Sequence, residues 1–280
     1  MPYAEFSPIF LGLVIAIALA EYFWRRKRKL AYDGKAVLAT IGVAVGQGLS
    51  KLAFASVIVY ALLAVYSFAP WQFALDDWRT WVLGFFAVEF AYYWQHRFSH
   101  TVRWFWASHA VHHSPNQMVL PIALRLSWTS GISGVWIFLL PVALAGIHPV
   151  AIGTIMIVNL RYQFFLHTEH IGRLGPLEWI LNTPSHHRVH HASNSCYLDK
   201  NFGGILIVFD RIFGTYAAER RDLKIVYGLT KPLTSNNPIV IAFHEWGNLA
   251  RDLKASYGVK DAFATVLGKP KRAALSTAED

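Results

Sequence analysis

The sequence has almost no cysteine and little charge. Its single cysteine, Cys196, excludes an intrachain disulfide framework and a cysteine-rich zinc fold. Charged residues make up 15% of the 280 residues, whereas an average soluble domain carries about 25%. Disorder and highly charged fibrous structure are excluded with them. A GxGxxG nucleotide fingerprint, a haem motif and the HExxH signature of zinc proteases are also missing. What is abundant is apolar surface: hydrophobic residues reach 54%. That excess points to a membrane protein, provided the apolar residues run far enough to cross a bilayer. The net charge of +9 implies nucleic acid only if it is not explained by membrane topology.

A hydrocarbon core about 30 Å thick needs roughly 20 apolar helical residues. Five candidate spans meet that need, at about 8–24, 48–68, 78–95, 127–145 and 150–165. The second lies within a longer apolar stretch, 36–69, interrupted by Gly46, Gly48, Ser50 and Lys51; residues 36–47 are expected at the interface. The basic run Arg25–Lys29 belongs in the cytoplasm, which places the N-terminus outside. No basic stretch or small-residue cleavage site marks the first span as a signal peptide. The loop 70–77 carries Asp76 and Asp77 but no lysine or arginine, as expected of an outside loop. The expected fold is an all-α integral membrane protein. A transmembrane bundle over 1–165 lies under a cytoplasmic histidine-rich helical cap over 166–280, and together they form one functional domain. The cap is expected to include an amphipathic segment near Ile239–Leu253 and a poorly ordered tail over 269–280. This topology puts the basic excess largely in the cytoplasm, so nucleic acid is not a partner. A bacterial inner membrane is the expected location, or the endoplasmic reticulum in a eukaryote.

Eleven of the thirteen histidines fall into four clusters: His96-Arg-Phe-Ser-His100, His109-Ala-Val-His112-His113, His167-Thr-Glu-His170 and His186-His187-Arg-Val-His190-His191. Spacings of three and four place the members of a cluster on one helix face. The pattern HxxHH occurs at 109–113 and again at 187–191. Under the expected topology all four clusters meet on the cytoplasmic side. Imidazole suits iron, zinc, copper and nickel, and about ten imidazoles exceed the needs of one ion, so two ions are expected. Lone His148 and His244 read as structural.

Glu89, Tyr93, His96 and His100 share one face of the third span; Asn159, Gln163, His167 and His170 share one face of the fifth. Polar residues inside a membrane are functional candidates. Glu89, Asn159 and Gln163 are therefore expected to orient imidazoles, with contact between helices as the alternative. Arg125 and Arg161 are accounted for by positive-inside placement, with a lipid head group as the other reading. Cys196 reads as a small buried residue rather than a ligand.

Soluble di-iron proteins rely on glutamates, yet only Glu169 lies inside a cluster here. An all-histidine pair of irons beside a lipid fits O2 activation and attack on an unactivated C–H bond. A metal transporter would instead need polar residues across the whole bilayer.

The four boxes, with GPLEWILNTPSHHRVHHASN and LDKNFGGILIVFDRIFGTY, resemble the fatty acid hydroxylase superfamily, also called the sterol desaturase family, over about residues 80–250. They look most like its alkylglycerol monooxygenase branch and bacterial relatives. The resemblance implies metal ligands at His96, His100, His109, His112, His113, His167, His170, His187, His190 and His191. His186 is either a ligand or a group supporting one. It also implies a membrane lipid substrate, two iron ions, O2 as co-substrate and a separate NAD(P)H-fed donor such as a ferredoxin, cytochrome b5 or a reductase. Tetrahydrobiopterin is a further candidate cofactor, although Thr101 follows His100 where that branch has Glu. Desaturation of a lipid, sterol or carotenoid is the alternative within the superfamily. Metal binding without oxygenase activity is the alternative outside it.

Overall fold

The computed structural model describes residues 8–272. Among these residues there is no strand, only the isolated bridges Leu181–Leu206 and Ala192–Tyr227. The expected polar tail lies largely outside the described residues.

Helix α1 (Pro8–Lys27) exposes Ile9, Leu11, Ile15 and Leu19. Arg25, Arg26 and Lys27 occupy its last turn, where cations meet the negative end of the helix dipole. Asp33 caps α2 (Gly34–Tyr66), accepting from the Ala36 N–H at 3.0 Å. The interfacial segment expected at 36–47 is not separate, because α2 runs unbroken for 33 residues. That is about 50 Å at roughly 1.5 Å per residue. Gly46 serves packing rather than breaking: a Cβ there would lie 2.2 Å from Trp128 Cε2. The Trp128 indole N–H donates to the Val43 carbonyl at 2.7 Å, locking the approach. By length and composition, α1 and α2 are the two described helices able to cross a membrane.

Asp77 caps α3 (Trp78–Thr101), and the extended residue Val102 alone separates α3 from α4 (Arg103–His113). The apolar stretch 127–145 is not one helix. It consists of α5 (Ser130–Ser133), a 3-10 turn (Val135–Leu139) and α6 (Leu140–Leu144), broken at Gly134 with φ 80°. A left-handed residue ends a right-handed helix, a detail to which hydropathy is blind. The stretch still fills the main core: Leu139, Val142 and Ala143 pack with Leu62, Val88, Ile152 and Ile155. The last two belong to α7 (Pro149–Phe164), whose start is capped by His148 accepting from the Val150 N–H at 3.1 Å.

After α7 come α8 (Pro184–His190), α9 (Val208–Ile212), α10 (Pro238–Lys254) and α11 (Val259–Leu267). The expected amphipathic segment is α10, which buries Ile241 against Ala39 and Val43 of α2 and Val111 of α4. Arg103 at the start of α4 pairs with Glu245 and, at 3.3 Å, with Asp252, fastening α10 over the histidine-bearing helices.

Candidate metal centre

The end of α3 presents His96 and His100, and α4 presents His109, His112 and His113. His187 and His190 stand on α8, and His191 is its C-cap. His167 lies in the turn just past α7. Thr183, with Pro184 following, caps α8 and so aims its histidines inward.

These side chains form two groups, each able to hold a metal ion: His96, His100, His109, His113 and His190 in one, and His112, His167, His187 and His191 in the other. Within a group the ligand atoms all lie within 4.8 Å of one another. His109 Nε2 is 3.1 Å from the Nε2 atoms of both His96 and His113. His187 Nε2 is 3.0 Å from His167 Nε2 and 3.1 Å from His191 Nε2, and His167 Nε2 is 3.3 Å from His112 Nε2. The groups abut, with the rings of His113 and His191 stacked at 4.4 Å.

The tautomers follow from the other ring nitrogen. His96 Nδ1 meets the Phe202 carbonyl at 2.8 Å, His112 Nδ1 that of Arg125 at 3.3 Å, His167 Nδ1 that of Gln163 at 2.8 Å, and His190 Nδ1 that of Lys200 at 3.0 Å. A carbonyl only accepts, so Nδ1 carries the proton and Nε2 turns a lone pair inward. Two such lone pairs, those of His112 and His167, face each other at 3.3 Å and repel unless a cation lies between them. His100 Nε2 and His190 Nε2 are buried with no hydrogen-bond partner. Burial holds His187, His190 and His191 well below the ordinary imidazole range and takes His112 down to about 4. They are therefore neutral, the form that ligates metal. No carboxylate joins either group, and this donor set fits iron, zinc, copper or nickel.

Some expected site residues stand elsewhere. His170 joins neither group; it is exposed and sits edge-on to Trp24 at 4.3 Å. The helical spacing assumed for it is broken because α7 stops at Phe164. His186 is buried but faces Tyr216, with Glu178 at 3.9 Å. Nor do Glu89, Asn159 and Gln163 orient imidazoles with their side chains. They form a chain: Tyr92 donates to Gln163, Gln163 to Asn159, and Asn159 to Glu89. Glu89 also accepts from the backbone N–H groups of Ile205 and Leu206, at 2.8 and 2.9 Å. Arg125 is buried, not turned to a head group; its guanidinium donates to Thr40, Ser114 and the Ala36 carbonyl. Cys196 is exposed rather than buried.

Sequence reasoning missed the carbonyls that orient the rings. Two come from the segment after Asp199, at Lys200 and Phe202. Asp199 and Asn201 there take φ of 58°. Asp210 holds that turn by accepting from the Phe202 and Gly203 N–H groups at 2.7 Å.

The fatty acid hydroxylase family model matches residues 81–215, which include all nine grouped histidines. Residues 81–215 belong to the fatty acid hydroxylase family. The chain is 38% identical over 94% of its length to alkylglycerol monooxygenase from Homo sapiens, covering 58% of that protein. It is 40% identical over 81% of its length to alkylglycerol monooxygenase from Danio rerio, covering 50% of that protein. Ornithine lipid hydroxylase OlsE from Rhizobium tropici is 26% identical over 80% of the chain and is covered over 71%. The chain thus spans about half the length of the alkylglycerol monooxygenases it matches. No solved structure matches. These relatives are named as monooxygenases and hydroxylases, and the matched segment of this chain carries two histidine groups that could each hold a metal ion.

Proposed function

We propose that the protein is an integral membrane di-iron oxygenase that hydroxylates a lipid-like substrate with O2 and electrons supplied from outside the chain. One observation carries the reading: nine imidazoles converge in two adjoining groups that contain no carboxylate, and backbone carbonyls turn the Nε2 lone pairs of four of them, His96, His112, His167 and His190, inward. The names of the relatives add the substrate class, a lipid, and the reaction class.

His96, His100, His109, His113 and His190 would hold one iron, and His112, His167, His187 and His191 the other. Bound there, iron supplies O2 activation strong enough to attack an unactivated C–H bond. The chain's own part is positional. Backbone carbonyls fix the rings, and burial keeps bulk water from the second group, none of whose histidines lines the cleft that reaches the first. One oxygen atom enters the substrate and the other leaves as water, reduced by an external donor fed by NAD(P)H.

About five apolar segments, two of them the long helices α1 and α2, are assigned to the membrane, and the rest of the chain to a cytoplasmic cap. The basic end of α1 supports this orientation, because Arg25 pairs with Glu169 at 2.9 Å beside the third box. The lipid chain then reaches the centre from the bilayer side.

Elemental analysis of protein from iron-supplemented cells tests the reading. One ion per group, about two irons per chain, and lipid-dependent O2 consumption are expected. A folded protein with no stoichiometric metal overturns it.

A further inference from the structure

A cleft of about 600 Å³ reaches the first histidine group from the side of α10. His100, His113 and His190 form its inner wall. Five basic side chains line it against three carboxylates. All three carboxylates are engaged: Asp199 by Arg272, Glu245 by Arg103, and Asp252 by Arg103 and Lys271. Lys231 and Arg251 are exposed and, among the described residues, have no carboxylate partner. A cleft with excess charge of one sign concentrates ligands of the other. A volume of this order suits a small molecule rather than a protein segment.

Trp106 lines the same cleft and is half-buried. Its ring lies 5.3 Å from that of His100 and 5.7 Å from that of His113. One aromatic side chain thus touches both the cleft and the imidazoles of the first group. His244 adds an acceptor on the α10 wall: its Nδ1 meets the Ile241 carbonyl at 2.8 Å, and its buried Nε2, 4.0 Å from Glu245 Oε2, has no hydrogen-bond partner.

We propose that this cleft is the electron-entry port, where a small, negatively charged reductant docks between Lys231 and Arg251 and passes electrons past Trp106 to the first histidine group. The inference rests on the oxygenase reading above. Each electron leaves the reductant, which is oxidised, and converts a ferric ion to ferrous; no atom is exchanged. The lipid, approaching from the bilayer, does not compete for this polar entrance.

The test is anaerobic stopped-flow reduction of the ferric holoprotein, followed by its visible absorption. Dithionite is the anionic probe and a neutral hydroquinone the control. The variants are Lys231→Glu/Arg251→Glu and the cleft-filling Thr230→Trp, each with iron content measured. The charge-reversed protein is expected to lose about tenfold in dithionite rate at low salt. That loss should shrink as salt rises, with iron content and the hydroquinone rate retained. Thr230→Trp is expected to slow both reductants. Dithionite rates unchanged in both variants overturn the port while leaving the oxygenase reading intact. So does equal slowing of dithionite and hydroquinone by the charge reversal, since it is not charge steering. A parent protein with no reducible iron overturns both readings, and metal analysis distinguishes that case from the others.

Discussion

Within each HxxHH box the outer pair and the middle histidine part company. His109 and His113 serve the first group while His112 serves the second; His187 and His191 serve the second while His190 crosses to the first. On a helix, residues four apart stack on one line and the residue at i+3 leans to its side, so one turn of helix bridges both sites. His109→Ala and His112→Ala are therefore expected each to remove about one of two metals, from different groups, by elemental analysis; loss of both or neither from each would contradict two separate sites. Glu89 acts differently. Glu89→Gln turns an amide toward backbone donors that a carboxylate had accepted, costing about 1–3 kcal/mol of stability. Thermal melting in detergent is expected to show a lower Tm, with less metal lost than in His109→Ala; an unchanged Tm would remove Glu89 from its anchoring role.

Elements hold these side chains in place through a few anchors. The turn at 200–206 carries two of the carbonyls that orient imidazoles, and Asp210 holds it from α9 through two backbone N–H groups and Thr215. Burial pushes the Asp210 carboxyl up to about 6 from 3.8. The native state then binds a proton more tightly than the unfolded chain, so this contribution is present at low pH and lost as pH rises through about 6. The stability advantage of the parent over Asp210→Asn is expected to shrink between about pH 4 and pH 6; an advantage that grows over that range would reverse the assignment. Helix α2 depends on the notch at Gly46. Gly46→Val drives a methyl group into the Trp128 indole, and overpacking of this kind costs about 1–3 kcal/mol. Melting of that variant should show the loss, and relief by Trp128→Ala in the double variant would tie it to the indole.

The molecule as a whole has an apolar surface on α1 and α2 and a polar centre beside the basic end of α1. That asymmetry makes Cys196 a natural reporter, being the single cysteine and exposed. A membrane-impermeant maleimide is expected to label it in inverted membranes and to leave it unlabelled in intact cells. Labelling of intact cells would place the histidine centre on the other side of the membrane.

Local chemistry was legible from the residues alone. Four histidine boxes pointed to a candidate metal centre, and apolar runs announced α1 and α7. Periodicity carries such information because neighbours three and four apart share a helix face wherever the helix lies. Allocation between sites did not follow from spacing. His170 was lost to the centre where α7 ended early, and Glu89, Asn159 and Gln163 turned to the 200–206 turn rather than to the rings. The ring-orienting groups are backbone carbonyls, which every residue possesses and which no side-chain pattern records. Gly46 was expected to interrupt α2 and 127–145 to form one span, and the structure differs at both for the same reason: whether a glycine breaks a helix or admits a partner depends on what packs against it. Those outcomes depend on contacts between residues distant in the chain, and they arise only when the helices are assembled.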